Sequence, residues 1–315
     1  MIPSFYEGEL AGSVLHDGRP VSELPLYAIA ERAGTVFQNL RNMTGECYTA
    51  EKPKARAGAM ILKKTPVEIE AMKRAGELSA RVLREVGARC VPGTTTLELD
   101  RFAERFIHQE GGTPTFKGYD GYPATLCVSV NDQIVHGIPS AHTVLCEGDI
   151  VSVDTGATVD GWAGDNAWTF AVGRVSPVAE RLLEVTEACL WAGIEAAVPG
   201  GRIGDIGHAV QSVAQAAGFG VVREYTGHGI GRDMHEDPAV PNFGRRRTGV
   251  RLEPGMVLAI EPMITAGSWR TRTLEDGWLV VTRDGSLAAH FEKTVAITEE
   301  GPVLVSVEPG RIRPL

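Results

Sequence analysis

The chain has 315 residues, 43% of them apolar, enough to bury one large core or two modest ones. Its formal net charge is -9, with acids and bases interspersed, which argues against broad nucleic-acid binding and for an ordinary soluble protein. No apolar run reaches membrane-spanning length, and the five cysteines (Cys47, Cys90, Cys127, Cys146, Cys189) form no CxxC pair, so neither a zinc knuckle nor a disulfide framework is expected.

Residues 1–62 read as an N-terminal extension, partly irregular, with one helix expected from about Leu26 to Leu40 and a Pro/Lys/Arg/Gly stretch at 53–58. Glu7 and Glu9 stand where a secretory signal would be basic and then apolar, so a cytoplasmic location is expected. A catalytic body is expected over 63–315. Thr65 as N-cap, Pro66 at the first helical position and Glu68 at the third form a capping box. Ile69, Met72, Leu78, Val82 and Leu83 follow at helical spacing until Pro92-Gly93 breaks the run. A second helix is expected from about Thr96 to Gln109, stopped by Gly111-Gly112, then strands at 126–130, 150–154 and 165–172. The same order returns: a helix from Pro177 to about Ala197, another over 203–217, and strands at 256–260, 278–282 and 290–297.

The return is visible residue by residue. Val91-Pro92-Gly93 matches Val198-Pro199-Gly200, a displacement of 198 − 91 = 107 positions. The same displacement carries Gly148-Asp149-Ile150-Val151-Ser152-Val153-Asp154 onto Gly255-Met256-Val257-Leu258-Ala259-Ile260-Glu261, laying acid on acid. With a different displacement, His136-Gly137-Ile138 matches His228-Gly229-Ile230. An α+β chain is implied, with two helix–helix–sheet halves facing each other across a pseudo-twofold and donating strand-borne acids to a shared cleft.

Asp160-Gly161 is a two-residue hairpin signal between β-rich flanks. If Val159 and Trp162 close the turn, Gly156 lies opposite Asp165, and Asp154 shares a face with Asp165 as its diagonal neighbour. Two carboxylates so placed repel unless protons or cations intervene. A single acid is ordinarily a solvated surface group. Asp154, however, follows the apolar run 150–153, Glu261 follows 257–260 and Glu292 follows Phe291, settings where an unpaired charge is costly. His228 stands in Tyr225-Thr226-Gly227-His228-Gly229-Ile230-Gly231, where glycines let the backbone approach closely and leave one imidazole projecting. Four carboxylates and one imidazole can hold two divalent cations, the chemistry of a two-metal hydrolase. His136 and His235 are then groups that support the ligands or contact substrate, able to bond a peptide oxygen or stabilise a developing oxyanion.

From about residue 60 to 305 these motifs resemble type I methionine aminopeptidases, of the pita-bread fold. Lys64-Thr65-Pro66-Val67-Glu68-Ile69-Glu70-Ala71-Met72 looks like that family's opening helix, and the segment from Leu126 to Pro139, with Cys127 and His136, like its central one. The resemblance implies that Asp154, Asp165, His228, Glu261 and Glu292 are metal ligands. Asp165 and Glu292 would bridge two cations, Asp154 chelate one, and His228 with Glu261 hold the other. It also implies catalytic roles for His136, His235 and Glu261, with His136 near the scissile peptide and His235 on its carbonyl oxygen. A methionine pocket falls on Tyr119, Tyr122, Cys127 and Trp278, with Phe116 and Met234 nearby; aromatic and sulfur-bearing walls suit a thioether.

The implied activity is cotranslational removal of initiator methionine from nascent polypeptide N-termini, preferring a small second residue. The implied cofactors are two divalent ions, cobalt, manganese, iron or zinc. A cytoplasmic monomer is expected, with a transient ribosome encounter, no membrane and no direct nucleic-acid readout. An Xaa-Pro peptidase is the rival with the same ligand set, but such relatives usually carry a large N-terminal domain, and 62 residues is short for one. A non-catalytic binding protein on the same fold typically loses ligands, and all five are present here.

Overall fold

The computed structural model describes residues 15–16, 19–20 and 61–314. The chain divides into two units, Met1–Glu51 and Lys52–Leu315. In the first, β1 (Leu15–His16) pairs antiparallel with β2 (Arg19–Pro20). The helix expected over Leu26–Leu40 lies outside the described residues.

The second unit opens with α1 (Pro66–Gly87), which starts with the capping box read from the sequence. The Thr65 hydroxyl accepts the Glu68 N–H at 3.3 Å, and the Glu68 carboxylate accepts the Thr65 N–H at 2.8 Å. Thr95 and Glu98 repeat the device at α2 (Thr96–Gln109). Strands β3 (Thr113–Pro114), β4 (Leu126–Val130), β5 (Gln133–Val135), β6 (Ile150–Val159) and β7 (Trp162–Ala171) complete the first half. The second half supplies α3 (Pro177–Ala196), α4 (Ile203–Ala216), β8 (Gly220–Val221), β9 (Gly227–Gly229), β10 (Glu236–Val240), β11 (Val257–Ile260) and β12 (Met263–Thr265). It ends with β13 (Thr271–Thr273), β14 (Val280–Thr282), β15 (Ala288–His290), β16 (Lys293–Thr298) and β17 (Gly301–Leu304). The run expected at 290–297 is two strands, broken where the Glu292 N–H donates to the Ala167 carbonyl at 2.9 Å.

The displacement of 107 reappears as geometry. Gly93 and Gly200 both turn at positive φ, 93° and 85°, and each donates its N–H at 2.8 Å, to the carbonyls of Leu145 and Leu252. Those acceptors are again 252 − 145 = 107 apart. Gly148 and Gly255, at 95° and 93°, lead into β6 and β11. A side chain would crowd this left-handed backbone, so glycine sets where each acid-bearing strand begins.

In the first half β6 carries β7 on one edge and β4 and then β3 on the other. In the second, five strands run in the order β10-β9-β11-β16-β17. Two smaller sheets, β15-β12-β8 and β13-β14-β5, flank them. The largest core cluster includes Leu83 and Leu99 from the first pair of helices, Leu190 from α3, and Val153, Leu258 and Val295 from the strands. The halves meet along β7, and two threonines join them in matching fashion. Thr169 accepts the N–H of His290 and donates to its carbonyl, both at 2.9 Å. Thr294 accepts the N–H of Asp165 at 3.3 Å and donates to its carbonyl at 2.9 Å. Asp165 and His290 are thus counterparts in the two halves. On the outer side α1 lies directly on β7: a Cβ on Gly164 would come within 2.4 Å of the Gly76 nitrogen.

The α+β class and the two helix–helix–antiparallel-sheet halves match the sequence reading. No helix among the described residues is long and apolar enough to cross a membrane.

Candidate metal centre

The hairpin register puts the first two acids together. Val159 pairs with Trp162 over the Asp160-Gly161 turn, whose φ values of 50° and 74° are those of a type I′ turn. Gly156 then faces Asp165, and Asp154 lies two residues along the same face. In the other half Ile260 pairs with Lys293, which sets Glu261 and Glu292 at the next step of the β11–β16 ladder. His228 lies in β9 and pairs with Ala259 of β11. Ligand atoms of Asp165, His228 and Glu292 all lie within 4.8 Å of one another. Glu261 adjoins this group, its Oε1 3.7 Å from His228 Nε2.

Asp165, His228 and Glu292 are buried, Asp154 and Glu261 nearly so, and their protonation reflects it. Burial raises the carboxyls of Asp154, Glu261 and Glu292 well above the usual range, and the neighbouring Asp165 charge raises each further. Burial brings Asp165 itself up to about 7. Asp154 Oδ1 and Glu292 Oε1 are buried without a hydrogen-bond partner. His228 Nδ1 lies 2.9 Å from the Gly229 carbonyl, which can only accept, so the proton sits on Nδ1. Its Nε2 therefore presents a bare lone pair to Asp165 Oδ2 and Glu261 Oε1, each 3.7 Å away. Burial, helped by His235, drives this imidazole down to about 3, so it is neutral near pH 7. Lone pairs converging from a neutral imidazole and several buried carboxylates fit divalent cations.

The two other expected histidines stand at the edge of this cluster. His235 packs on His228, ring centroids 4.3 Å apart, and its Nδ1 is 2.8 Å from the Tyr119 hydroxyl. His136 follows β5 at φ 62°, a conformation uncommon outside glycine and often found at functional sites. Its ring meets Trp278 edge-on at 6.3 Å. Phe116, Tyr122, Ala124 and Cys127 form a separate buried cluster against which Ile138, Met234 and Trp278 pack. The Tyr122 hydroxyl lies 2.9 Å and 3.0 Å from the carbonyls of Leu126 and Gly137, so the ring rather than the hydroxyl faces this cluster.

Sequence reasoning missed several neighbours. Tyr225 stacks edge-on to His136 at 5.7 Å, and Ala124 and Ile138 join the apolar cluster. Lys293, beside Glu292, is buried with its ammonium donating to Asn166 Oδ1 at 2.9 Å, and burial lowers its pKa to about 8. His290 is buried beside Glu261. A polar residue every second position through His290, Glu292 and Thr294 was the available signal, since β-periodicity aims all three to one side.

The profile of Metallopeptidase family M24 matches residues 70–299. The chain is 50% identical over 248 residues to the methionine aminopeptidase of Clostridium acetobutylicum, covering 79% of this chain and 99% of that one. It is 52% identical over 242 residues to methionine aminopeptidase 1 of Bacillus subtilis, covering 77% and 97%. The crystal structure of methionine aminopeptidase from Thermotoga maritima superposes with a TM-score of 0.78 at 47% identity, covering 79% of this chain and all of that one.

Proposed function

The chain belongs to metallopeptidase family M24, and on that premise we propose that its buried acids and imidazoles are the working centre of a methionine aminopeptidase. Its architecture is the pita-bread fold, and its activity is hydrolytic removal of an N-terminal methionine, as named for relatives at about half identity. The observation that carries the residue-level reading is the bare Nε2 of His228 between the carboxylates of Asp165 and Glu261.

Asp154, Asp165, His228, Glu261 and Glu292 would hold two divalent cations; manganese, iron, cobalt and zinc all suit an oxygen-rich set with one imidazole. When bound, such ions polarise the first peptide carbonyl and make water acidic enough to attack it. Glu261 takes the proton from that water and passes it to the departing amine. His235 Nδ1 lies 2.8 Å from the Tyr119 hydroxyl; with that hydroxyl as donor, the Nε2–H of His235 is left to stabilise the developing oxyanion. His136 orients the scissile peptide. Tyr122, Cys127 and Trp278, with Tyr119 at the rim, receive the methionine side chain, and a small second residue is preferred. Residues 63–315 form the catalytic domain and 1–62 an extension. The substrates are N-termini of nascent chains in the cytoplasm, met by a monomer during a transient ribosome encounter.

The test is metal-stripped protein reloaded with manganese or cobalt and offered Met-Ala-Ser and Ala-Pro-Ser peptides in parallel. Release of methionine alone is expected. Cleavage before proline instead would keep the metal centre and overturn the pocket. No turnover of either peptide despite bound metal would overturn the catalytic reading.

A further inference from the structure

His290 is a buried imidazole that the roles above leave unused. It closes β15, is 2% exposed, and its Nε2 has no hydrogen-bond partner. Leaving a buried polar nitrogen unpaired is costly, so its surroundings show what it is for. Its Nε2 lies 3.6 Å from Glu261 Oε2, while His228 Nε2 lies 3.7 Å from Glu261 Oε1. One carboxylate is thus flanked by an imidazole at each oxygen.

The two imidazoles differ in where the proton can sit. The Gly229 carbonyl fixes the His228 proton on Nδ1, leaving Nε2 as a lone pair. Among the described hydrogen bonds none holds the His290 proton on Nδ1, and an acidic oxygen faces its Nε2. The tautomer that carries hydrogen on Nε2 is favoured there, because two facing lone pairs repel. The backbone of His290 is fixed from both sides, by the Thr169 hydroxyl and by pairing with Met263. In the matching position of the first half, Thr294 fixes Asp165 in the same way.

We propose that His290 is a positioning residue for the metal centre: its Nε2–H donates to Glu261 Oε2 and turns Oε1 toward the cation shared with His228. A closure of about half an ångström brings the pair into hydrogen-bond range. Ligating carboxylates are commonly held this way by partners that do not touch the metal. The inference rests on the ligand assignment proposed above.

The experiment compares full-length wild type with His290→Ala, His290→Gln and Asp165→Asn, each checked for folding by circular dichroism. Cobalt affinity is measured by calorimetry, the cobalt absorption spectrum is recorded, and kcat and KM are measured on Met-Ala-Ser. His290→Ala is expected to lose about 10- to 100-fold in cobalt affinity and to lower kcat more than it raises KM. His290→Gln, which keeps an N–H donor, is expected to recover most of both losses with an unchanged cobalt spectrum. Full affinity and kcat in His290→Ala would overturn the proposal. So would a glutamine variant as impaired as the alanine one with a shifted spectrum, because the imidazole would then be a ligand. If the alanine variant does not fold, the glutamine variant decides alone, by the same affinity and spectrum. Unchanged cobalt binding in Asp165→Asn would instead overturn the ligand assignment, which keeps the two failures apart.

Discussion

Cys127 stands directly opposite Asp154 across the β4–β6 ladder, so the two side chains share one face of the sheet. The register that seats an acid of the metal centre also seats a wall of the apolar pocket. On the proposed assignment, binding of a side chain and cleavage of the bond beside it are set by one ladder.

The first prediction follows from that ladder. Cys127→Phe overfills the pocket, and KM for Met-Ala-Ser should rise about tenfold or more while cobalt affinity stays near wild type. Steady-state kinetics with calorimetry checks both halves of the statement. An equal loss of metal would mean that the strand itself has moved.

Asp165→Asn should lower activity by at least about 100-fold and weaken metal binding. The same change should raise the melting temperature of the metal-free protein at and above about pH 7, because a buried carboxyl whose ionisation the fold disfavours becomes a neutral amide. Differential scanning calorimetry after chelation measures this second effect. A lower melting point without metal would contradict it.

The pH dependence of stability has a definite sign. Asp165, brought up to about 7, and Asp154, Glu261 and Glu292, shifted in the same direction by burial, keep protons that the unfolded chain releases near about pH 4. Their contribution is full below that value and lost as pH rises through the folded values. His228 and His235, lowered by burial to about 3 and about 4, run oppositely, contributing above about pH 6.5 and losing it as pH falls through those values. Above about pH 6.5 these two histidines no longer titrate, and below about 8, where buried Lys293 gives up its proton, the carboxylates carry the change. The metal-free protein should therefore melt at lower temperature as pH rises from about 6.5 to about 8, and added manganese should raise the melting point more at the upper end. A flat metal-free profile would show that these carboxyls are not held protonated.

Glu236, the residue after His235, forms a buried ion pair with Lys64, side chains 6% and 5% exposed, and its other oxygen accepts the Arg232 N–H at 3.1 Å. Glu236→Ala strands the ammonium of Lys64 and should cost about 3–5 kcal/mol in urea unfolding. The double variant Lys64→Met/Glu236→Ala should cost less than Glu236→Ala alone, since no buried charge is then left unpaired. Equal costs would show that the pair carries no coupling.

Much of this was legible in the chain because it is written in local chemistry. Thr65 and Glu68 announce α1 by their spacing, and Asp160-Gly161 fixes a register that in turn fixes Asp154 beside Asp165. The displacement of 107 was legible because left-handed turns accept little but glycine, which kept Gly93 with Gly200 and Gly148 with Gly255. What was not legible depends on contacts between distant segments. The break between β15 and β16 follows from the Glu292 N–H crossing to Ala167, a partner 125 residues earlier (292 − 167). The buried pair of Lys64 and Glu236 and the burial of Lys293 arise in the same way, and no periodicity within one strand reports them.

The division of the five groups between the halves has a consequence for the timing of activity. Asp154 and Asp165 belong to the first half, while His228, Glu261 and Glu292 belong to the second. A chain whose first half has folded but whose second has not docked is chemically silent, however native that first half is. On the proposed ligand assignment, catalysis requires that the seam at Thr169 and Thr294 has closed. On that assignment the safeguard against premature cleavage lies in the topology itself.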